Sequence, residues 1–117
     1  METPDDYILF TRLHTNAIIP WKSTLGSIGY NLFSPIDVKI HSHEIMKIPL
    51  DIAMKLPKNY FGIIVAGNSE QKLNIIPLCI DSDYHENIEI IVQNTNRNAS
   101  ITIVKHTKIA QIIIVHL

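Results

Sequence analysis

The densest group of polar side chains in the sequence lies in residues 81–87, which read D-S-D-Y-H-E-N. Apolar runs flank the group at residues 75–80 and 88–92, so the pattern predicts a hairpin tip that carries carboxylates. Asp81 directly follows a predicted buried strand, where partial desolvation would let its carboxylate hold or deprotonate a water molecule. Tyr84 offers a flat wall to a ligand. A solvated β-turn explains the same cluster equally well.

A second candidate group is H-S-H-E at residues 41–44, because alternate strand residues share a face and histidine is a common metal ligand. The pattern more strongly indicates a turn between two short strands, since no second pair of ligands completes a coordination shell. His85, His106 and His116 are isolated and are predicted to lie at the surface. Cys79 lies within an apolar run, which indicates a buried, inert thiol rather than a nucleophile.

The elements that must position these side chains are predicted to be short β-strands. The chain is rich in isoleucine, which favours strands, and no window has the apolar periodicity of an amphipathic helix. We expect about nine or ten strands, at residues 8–13, 30–33, 37–40, 45–48, 52–56, 60–66, 73–80, 88–93, 100–104 and 109–115. The sequence therefore predicts a single all-β domain over residues 1–117, built as a sandwich, jelly roll or small barrel.

Composition excludes several classes of function. Ten Lys and Arg against eleven Asp and Glu leave no basic field, so nucleic-acid binding is not expected. No apolar run is long enough for a membrane helix, and the N-terminus is acidic where a signal peptide would be basic. A single cysteine favours a reducing, intracellular compartment, either cytoplasmic or nuclear. The chain is 46% hydrophobic and only 18% charged, which predicts apolar surface buried between subunits.

Four blocks of the sequence resemble, in the same order, four of the five motifs of the homotrimeric dUTPase family. Residues 28–34, I-G-Y-N-L-F-S, resemble A-G-Y-D-L-x-S. Residues 66–70 fall where the second motif, P-R-S-G or R-S-S-x-G, should lie. Residues 79–88, C-I-D-S-D-Y-H-E-N-I, resemble V-I-D-x-D-Y-R-G-x-I of the third motif, and residues 108–111, K-I-A-Q, resemble R-I-A-Q. The resemblance covers almost the whole chain and implies a distorted jelly roll.

The resemblance also implies an activity, the Mg²⁺-dependent hydrolysis of dUTP to dUMP and pyrophosphate at three sites between the subunits of a homotrimer. It implies that Asp81 orients the attacking water and contacts the sugar 3′-hydroxyl. Tyr84 would lie beneath the deoxyribose and leave no room for a 2′-hydroxyl. Backbone groups of residues 73–80, with Ile80 among them, would pair with the uracil edge.

The residues expected near phosphate and metal depart from the family pattern. Ser69 and Gln111 would contact phosphate oxygens. Asn31 replaces the motif aspartate that helps to hold the Mg²⁺ shell, and a neutral amide is a poorer partner for that ion. Asn68 stands in the place of the motif arginine, and Glu70 beside it would repel a triphosphate.

Further departures lie around the third motif and after the fourth. Leu78 and Glu86 replace the glycines that flank the third motif, where close backbone approach is needed. The sequence ends at Leu117, without the glycine-rich fifth motif that closes over the triphosphate in the family. Such an arm supplies positioning and charge stabilisation. The resemblance therefore predicts a dUTPase-fold protein whose activity is weak or lost.

Two alternatives remain open at this point. The first is a non-catalytic interaction module, whose C-terminal residues V-H-L, 115–117, would bind a protein partner by strand addition, although the same residues can simply finish a strand. The second is the related dCTP deaminase, which needs a catalytic glutamate where this chain has Ile91, with Glu89 displaced by two residues.

Overall fold

The chain folds into short strands joined by turns. The computed structural model describes residues 8–67 and 72–117. Its strands are β1 (Leu9–Arg12), β2 (Gly29–Phe33), β3 (Val38–Ile40), β4 (Ile45–Pro49), β5 (Ile52–Lys55), β6 (Tyr60–Ala66), β7 (Leu73–Ile75), β8 (Leu78–Ile80), β9 (Glu89–Asn94), β10 (Ile101–Ile103) and β11 (Lys108–His116). These described residues form no helix, and accordingly none that could cross a membrane. The all-β prediction is confirmed.

The strands form two larger sheets and two small ones. The first larger sheet has the order β2-β11-β6-β8, and the second has the order β4-β9-β7. The small sheets pair β1 with β5 and β10 with β3. All these pairs are antiparallel. Strands β8 and β7 therefore lie at the edges of different sheets.

The strand predicted over residues 73–80 is divided in two, which corrects that prediction and raises the count of described strands to eleven. Strand β7 pairs with β9, whereas β8 pairs with β6 in the other sheet. The N–H of Ile76 still donates to the carbonyl of Ile91 at 2.9 Å. Pro77 has no N–H and cannot continue that ladder. The chain consequently leaves one sheet at Ile76 and enters the other at Leu78.

The core lies between the inner faces of the two larger sheets. In β9 every second residue is buried, which places Ile90 and Val92 on the inner face. Fully buried side chains of the other sheet include Leu32, Ile64 and Ile112. Burying an aliphatic side chain of this size stabilises a fold by about 1.5–3 kcal/mol, so this isoleucine-rich layer holds the sheets together.

Candidate functional site

Residues 81–87 form a connection between the two larger sheets, from the end of β8 to the start of β9. Because these strands pair with different neighbours, the segment is not a hairpin tip, and that prediction was wrong. It begins with a turn in which the N–H of Tyr84 donates to the carbonyl of Asp81 at 3.1 Å. The Tyr84 hydroxyl donates to the carbonyl of Asn87 at 2.8 Å. These two bonds fold the half-buried Tyr84 ring back against its own segment.

A cavity of about 260 Å³ opens beside this segment. It is lined by residues of both larger sheets and of the connection, namely Lys47, Leu78, Cys79, Ile80, Asp81, Tyr84, Glu89 and Ile91. Three of the predicted site residues, Asp81, Tyr84 and Ile80, are therefore brought together at one cavity. Its volume is close to the lower end of the range for small-molecule sites, which suits a flat ring.

Strand β8 forms one wall of the cavity and lies at the edge of its sheet, with β6 on one side only. Backbone N–H and C=O groups on the other side of an edge strand have no strand partner and can pair with a ligand. Burial at the end of β8 corrects two expectations. Asp81 is exposed rather than partly desolvated, and Cys79 is exposed rather than buried.

A second cavity, of about 660 Å³, shares Cys79 and Asp81 with the first. Its other lining residues are Lys58, Tyr60, Phe61, Ser82, Asp83 and Leu117. Asp81 thus lies where the two cavities adjoin. A ligand with a ring in the first cavity has space beyond it for a larger polar group.

Asn31 and Gln111 lie together in a different part of the same sheet, where β2 pairs directly with β11. Asn31 is only 5% exposed. Its side-chain amide donates to the Ser23 hydroxyl at 2.9 Å, and its backbone N–H donates to the Trp21 carbonyl at 2.8 Å. The Gln111 amide lies 3.5 Å from the carbonyl of Ala66. Asn31 is consequently a satisfied, buried amide.

The strand registers show how far this pair lies from the cavity. They place Asp81 level with Val115 of β11, two strands away. Gln111 precedes Val115 by four residues, or about 13 Å along a strand, and two strand spacings add about 10 Å across the sheet. Gln111 and Asp81 are therefore about 16 Å apart within one chain. The structure does not bring these two predicted site residues together.

The remaining predicted phosphate contact, Ser69, lies outside the described residues. Asn68 and Glu70, which replace the second-motif residues of the family, lie outside them as well. The structure therefore adds nothing to what the sequence indicates for this motif.

The described residues do not fit a protein-held Mg²⁺ ion. Residues 8–67 and 72–117 contain no group of three or more His, Cys, Asp or Glu that could hold a metal. At the expected position Asn31 offers one neutral amide, whose nitrogen already donates to Ser23. Mg²⁺ prefers carboxylates or the phosphates of a substrate, and the described part of the chain gathers no such group of carboxylates.

The histidine groups behave as the simpler interpretation predicted. Residues 42 and 43 form a turn, in which the His41 N–H donates to the Glu44 carboxylate at 2.8 Å and His43 adopts a φ of 63°. Hence the prediction of a turn at residues 41–44 is confirmed. His85, His106 and His116 are exposed, as expected.

The C-terminal residues finish a strand. Val115 and His116 pair with Phe61 and Tyr60 of β6, and the N–H of Leu117 donates to the carbonyl of Asn59 at 2.8 Å. The backbone of residues 115–117, which an interaction module would use for strand addition, is thus already paired with β6 on one side.

Two charged side chains at the first cavity were not predicted to line a binding site. Lys47 was not identified from the sequence, and Glu89 was considered only as a displaced deaminase glutamate. Lys47 lies opposite Ile91 across the β4–β9 pair. Alternation along each strand could have placed these residues on one face, but only the pairing register brings the two strands to the same cavity. Ile91, at the position where a deaminase needs its glutamate, lines the cavity with an apolar side chain.

Comparisons with known proteins identify the family. The dUTPase family model matches residues 15–117. The chain is 28% identical over 116 residues to the deoxyuridine 5′-triphosphate nucleotidohydrolase of Fowl adenovirus A serotype 1, covering 97% of this chain and 65% of that protein. It is 32% identical over 108 residues to the same enzyme of Vaccinia virus strain Copenhagen, covering 91% of this chain and 73% of that protein. The chain belongs to the dUTPase family.

A solved structure gives the same result for the fold. The dUTPase of Staphylococcus bacteriophage 80alpha matches with a TM-score of 0.89 and 25% sequence identity, over 96% of this chain and 91% of that one. The jelly-roll prediction and the family resemblance are both confirmed. This chain spans about two thirds of the length of the adenovirus relative.

Proposed function

We propose that the cavity beside residues 81–87 binds a deoxyuridine nucleotide and that the protein hydrolyses dUTP to dUMP and pyrophosphate at a low rate. The observation that carries this proposal is the meeting of Asp81, Tyr84 and the free edge of β8 at one cavity. These are the residues of the third motif, the block in which the chain keeps both the aspartate and the tyrosine of its family.

The nucleoside would occupy the first cavity. The free backbone edge of β8, which includes Ile80, offers donors and acceptors to the uracil ring. Apolar side chains of Leu78 and Ile91 would cover the faces of the ring. The Tyr84 ring, held by its hydrogen bond to the Asn87 carbonyl, would pack beneath the deoxyribose and exclude a 2′-hydroxyl.

Asp81 would act on the water that attacks the nucleotide. Asp81 lines both cavities, so the triphosphate of a nucleotide bound in the first cavity would extend past it into the second. The carboxylate would accept a proton from the attacking water while a new P–O bond forms and the bond to pyrophosphate breaks.

Mg²⁺ would enter with the triphosphate as part of the substrate, since the described side chains supply no resident site. The neutral Asn31 weakens the protein's contribution to the metal shell. The sequence also has Asn68 where the family has an arginine. Each tenfold loss of rate corresponds to about 1.4 kcal/mol of transition-state stabilisation, so losing a few such contacts suffices for a slow enzyme.

We also propose that the active assembly is a homotrimer with its sites between subunits. In this arrangement Gln111 of a neighbouring chain would approach the phosphates of a nucleotide at Asp81, and the separation of about 16 Å between Gln111 and Asp81 within one chain supports it. Light scattering coupled to size-exclusion chromatography should give three times the mass of 13.3 kDa. A monomeric mass would contradict the proposal.

The activity is tested by measuring pyrophosphate release from dUTP with and without Mg²⁺. We expect slow, Mg²⁺-dependent release that Asp81→Ala lowers about 10²-fold or more, the usual range for loss of a general base. Glu86→Gln is the matched control, because it removes a carboxylate from the same segment but lines neither cavity. Release at the level of the buffer blank at high protein concentration would refute the hydrolysis.

Binding is tested separately, by calorimetric titration with a non-hydrolysable dUTP analogue. Uracil-selective binding is the expected result. If no analogue binds, the alternative of a non-catalytic interaction module on this fold gains support.

Deamination of dCTP is the second candidate, and one observation favours it. Glu89 lines the cavity, two residues before the position where a deaminase needs its glutamate. Ammonia release from dCTP, lost in Glu89→Gln, would establish this activity and displace the first proposal.

A further inference from the structure

Asp51 has an unusual backbone conformation opposite the candidate site. It lies between β4 and β5 and adopts a φ of 58°. This left-handed region is strained for most residues other than glycine, although aspartate and asparagine tolerate it better than most. Its side chain is therefore worth following, because the hydrogen bonds that it makes lead to the candidate site.

The Asp51 side chain takes part in a reciprocal pair of hydrogen bonds with Asn87. The backbone N–H of Asp51 donates to the Asn87 side-chain oxygen at 3.0 Å. The Asn87 side-chain amide donates in turn to the Asp51 carboxylate at 3.0 Å. The two residues are 36 positions apart and both are half-buried, so the pair joins the β4–β5 turn to the end of the 81–87 segment.

Backbone hydrogen bonds on both sides hold this pair in place. The N–H of Leu50 donates to the carbonyl of Ile88 at 2.9 Å, and the N–H of Ile88 donates to the carbonyl of Ile52 at 2.9 Å. On the other side, the Asp51 carbonyl accepts the N–H of Leu13 at 2.8 Å. Asp51 therefore lies on a well-anchored turn and can serve as a fixed point for Asn87.

Asn87 connects this fixed point to Tyr84. Its side chain is held by Asp51, and its own carbonyl accepts the Tyr84 hydroxyl at 2.8 Å. Rotation of the Asn87 peptide would move that carbonyl and release the tyrosine hydroxyl. The orientation of the Tyr84 ring thus depends on a bond made three residues further along the chain.

We propose that Asp51 and Asn87 are positioning residues that set the Tyr84 ring, and that through it they set the discrimination between deoxyribose and ribose nucleotides. The inference rests on the proposed function, in which Tyr84 packs beneath the sugar. Neither residue lines the first or the second cavity.

Three substitutions separate positioning from stability. Asp51→Gly removes the carboxylate but relieves the backbone strain, since glycine adopts a φ of 58° freely. Asp51→Asn keeps a side-chain oxygen for the Asn87 amide and tolerates the same φ. Tyr84→Phe removes the hydroxyl that binds the Asn87 carbonyl while the ring remains.

The experiment compares the affinities of non-hydrolysable dUTP and UTP analogues for the full chain, together with amide hydrogen exchange at Tyr84 and Ile88. We expect Asp51→Gly and Tyr84→Phe to reduce the preference for the dUTP analogue about tenfold, the effect of one lost hydrogen bond. Asp51→Asn should keep most of the preference. Exchange at residues 84 and 88 should become faster in Asp51→Gly than in Asp51→Asn.

Unchanged discrimination in Asp51→Gly would overturn the inference, and so would a loss of equal size in Asp51→Asn. If the wild-type chain binds neither analogue, the proposed function fails instead. The exchange measurement then still tests the contact, because equal exchange rates in the two Asp51 variants would refute positioning without any nucleotide.

Discussion

Residues 81–87 and the paired strands β2 and β11 carry two separate groups of predicted site residues, and they hold their side chains in different ways. In the first region, Tyr84 is held by local hydrogen bonds within an exposed connection. In the second, Asn31 is buried within a sheet, and its amide is satisfied by Ser23. A few hydrogen bonds hold Tyr84 in residues 81–87. The hydrogen-bond ladder between β2 and β11, together with burial, holds Asn31.

The two regions also differ in how well they match the motifs that they resemble. Residues 81–87 keep the aspartate and the tyrosine of the third motif, whereas the second region has Asn31 in place of the motif aspartate. The surrounding structure suits the amide, since Ser23 accepts its hydrogen bond. On the proposed function, residues 81–87, which would bind the nucleoside, keep the motif residues. The β2–β11 region, which would face the phosphates and the metal, has an altered one.

The sharpest test of this division mixes two variants, one for each region. Asp81→Asn and Gln111→Ala chains should each have little activity alone. Each site would take Asp81 from one chain and Gln111 from its neighbour. In trimers reassembled from an equal mixture, about one site in four would combine an unmutated Asp81 with an unmutated Gln111, so about a quarter of the wild-type rate should return. Each variant, unfolded and reassembled alone, is the control. No recovery would mean that each chain builds its own site.

Restoring the motif aspartate should strengthen the β2–β11 region. Asn31→Asp is expected to raise Mg²⁺-dependent pyrophosphate release about tenfold. It should also lower the free energy of unfolding by about 1–3 kcal/mol, because a carboxylate replaces a buried, satisfied amide. Steady-state kinetics over a range of Mg²⁺ concentrations and urea unfolding measure the two effects.

Asn74→Asp makes the same change at an exposed position of β7 and serves as the control. Equal rates of Mg²⁺-dependent pyrophosphate release in Asn31→Asp and the wild type would show that the Asn31 amide does not limit the reaction.

A smaller effect is expected from crowding Gln111. A β-carbon on Gly29 would lie 2.9 Å from the Gln111 side-chain oxygen and 3.1 Å from the carbonyl of Ile112. Gly29→Ala should therefore lower the free energy of unfolding by about 1–2 kcal/mol. It should weaken binding of a triphosphate analogue a few-fold and leave dUMP binding unchanged, as calorimetry can measure.

Gly26→Ala is the matched control, since a β-carbon there meets nothing within 4 Å. If Gly29→Ala lowers the affinities for dUMP and for the triphosphate analogue equally, the β2–β11 pair does not act on the β- and γ-phosphates separately.

Much of the fold could be predicted from the sequence because strand formation depends on local pattern. The strand β9 could be predicted from its apolar run, although that run does not show which of Ile90, Ile91 and Val92 face the core. The division between β7 and β8 could also have been inferred, since Pro77 has no N–H to donate to a ladder. Pairing order could not, because it depends on contacts between distant residues. The hairpin expected at residues 81–87 was wrong for that reason.

The candidate site was predictable to a similar degree. Asp81 and Tyr84 were identified through the motif that carries them, and they do meet at one cavity. The exposure of Asp81 and the contribution of Lys47 depend on sheet edges and register, which local sequence does not encode. The bond between Asp51 and Asn87 spans 36 residues and has no pattern that would reveal it.

The first cavity lies on the outer side of the second sheet rather than between the two layers. Its walls come from β8 of the first sheet and from Lys47, Glu89 and Ile91, which alternate with the buried Ile48, Ile90 and Val92 and so face away from the core. On the proposed function, a nucleotide bound there would touch both sheets from outside and would stabilise the folded form without entering the core. Resistance to heat would then rise with nucleotide concentration, and the supply of nucleotide would set how long the folded protein survives.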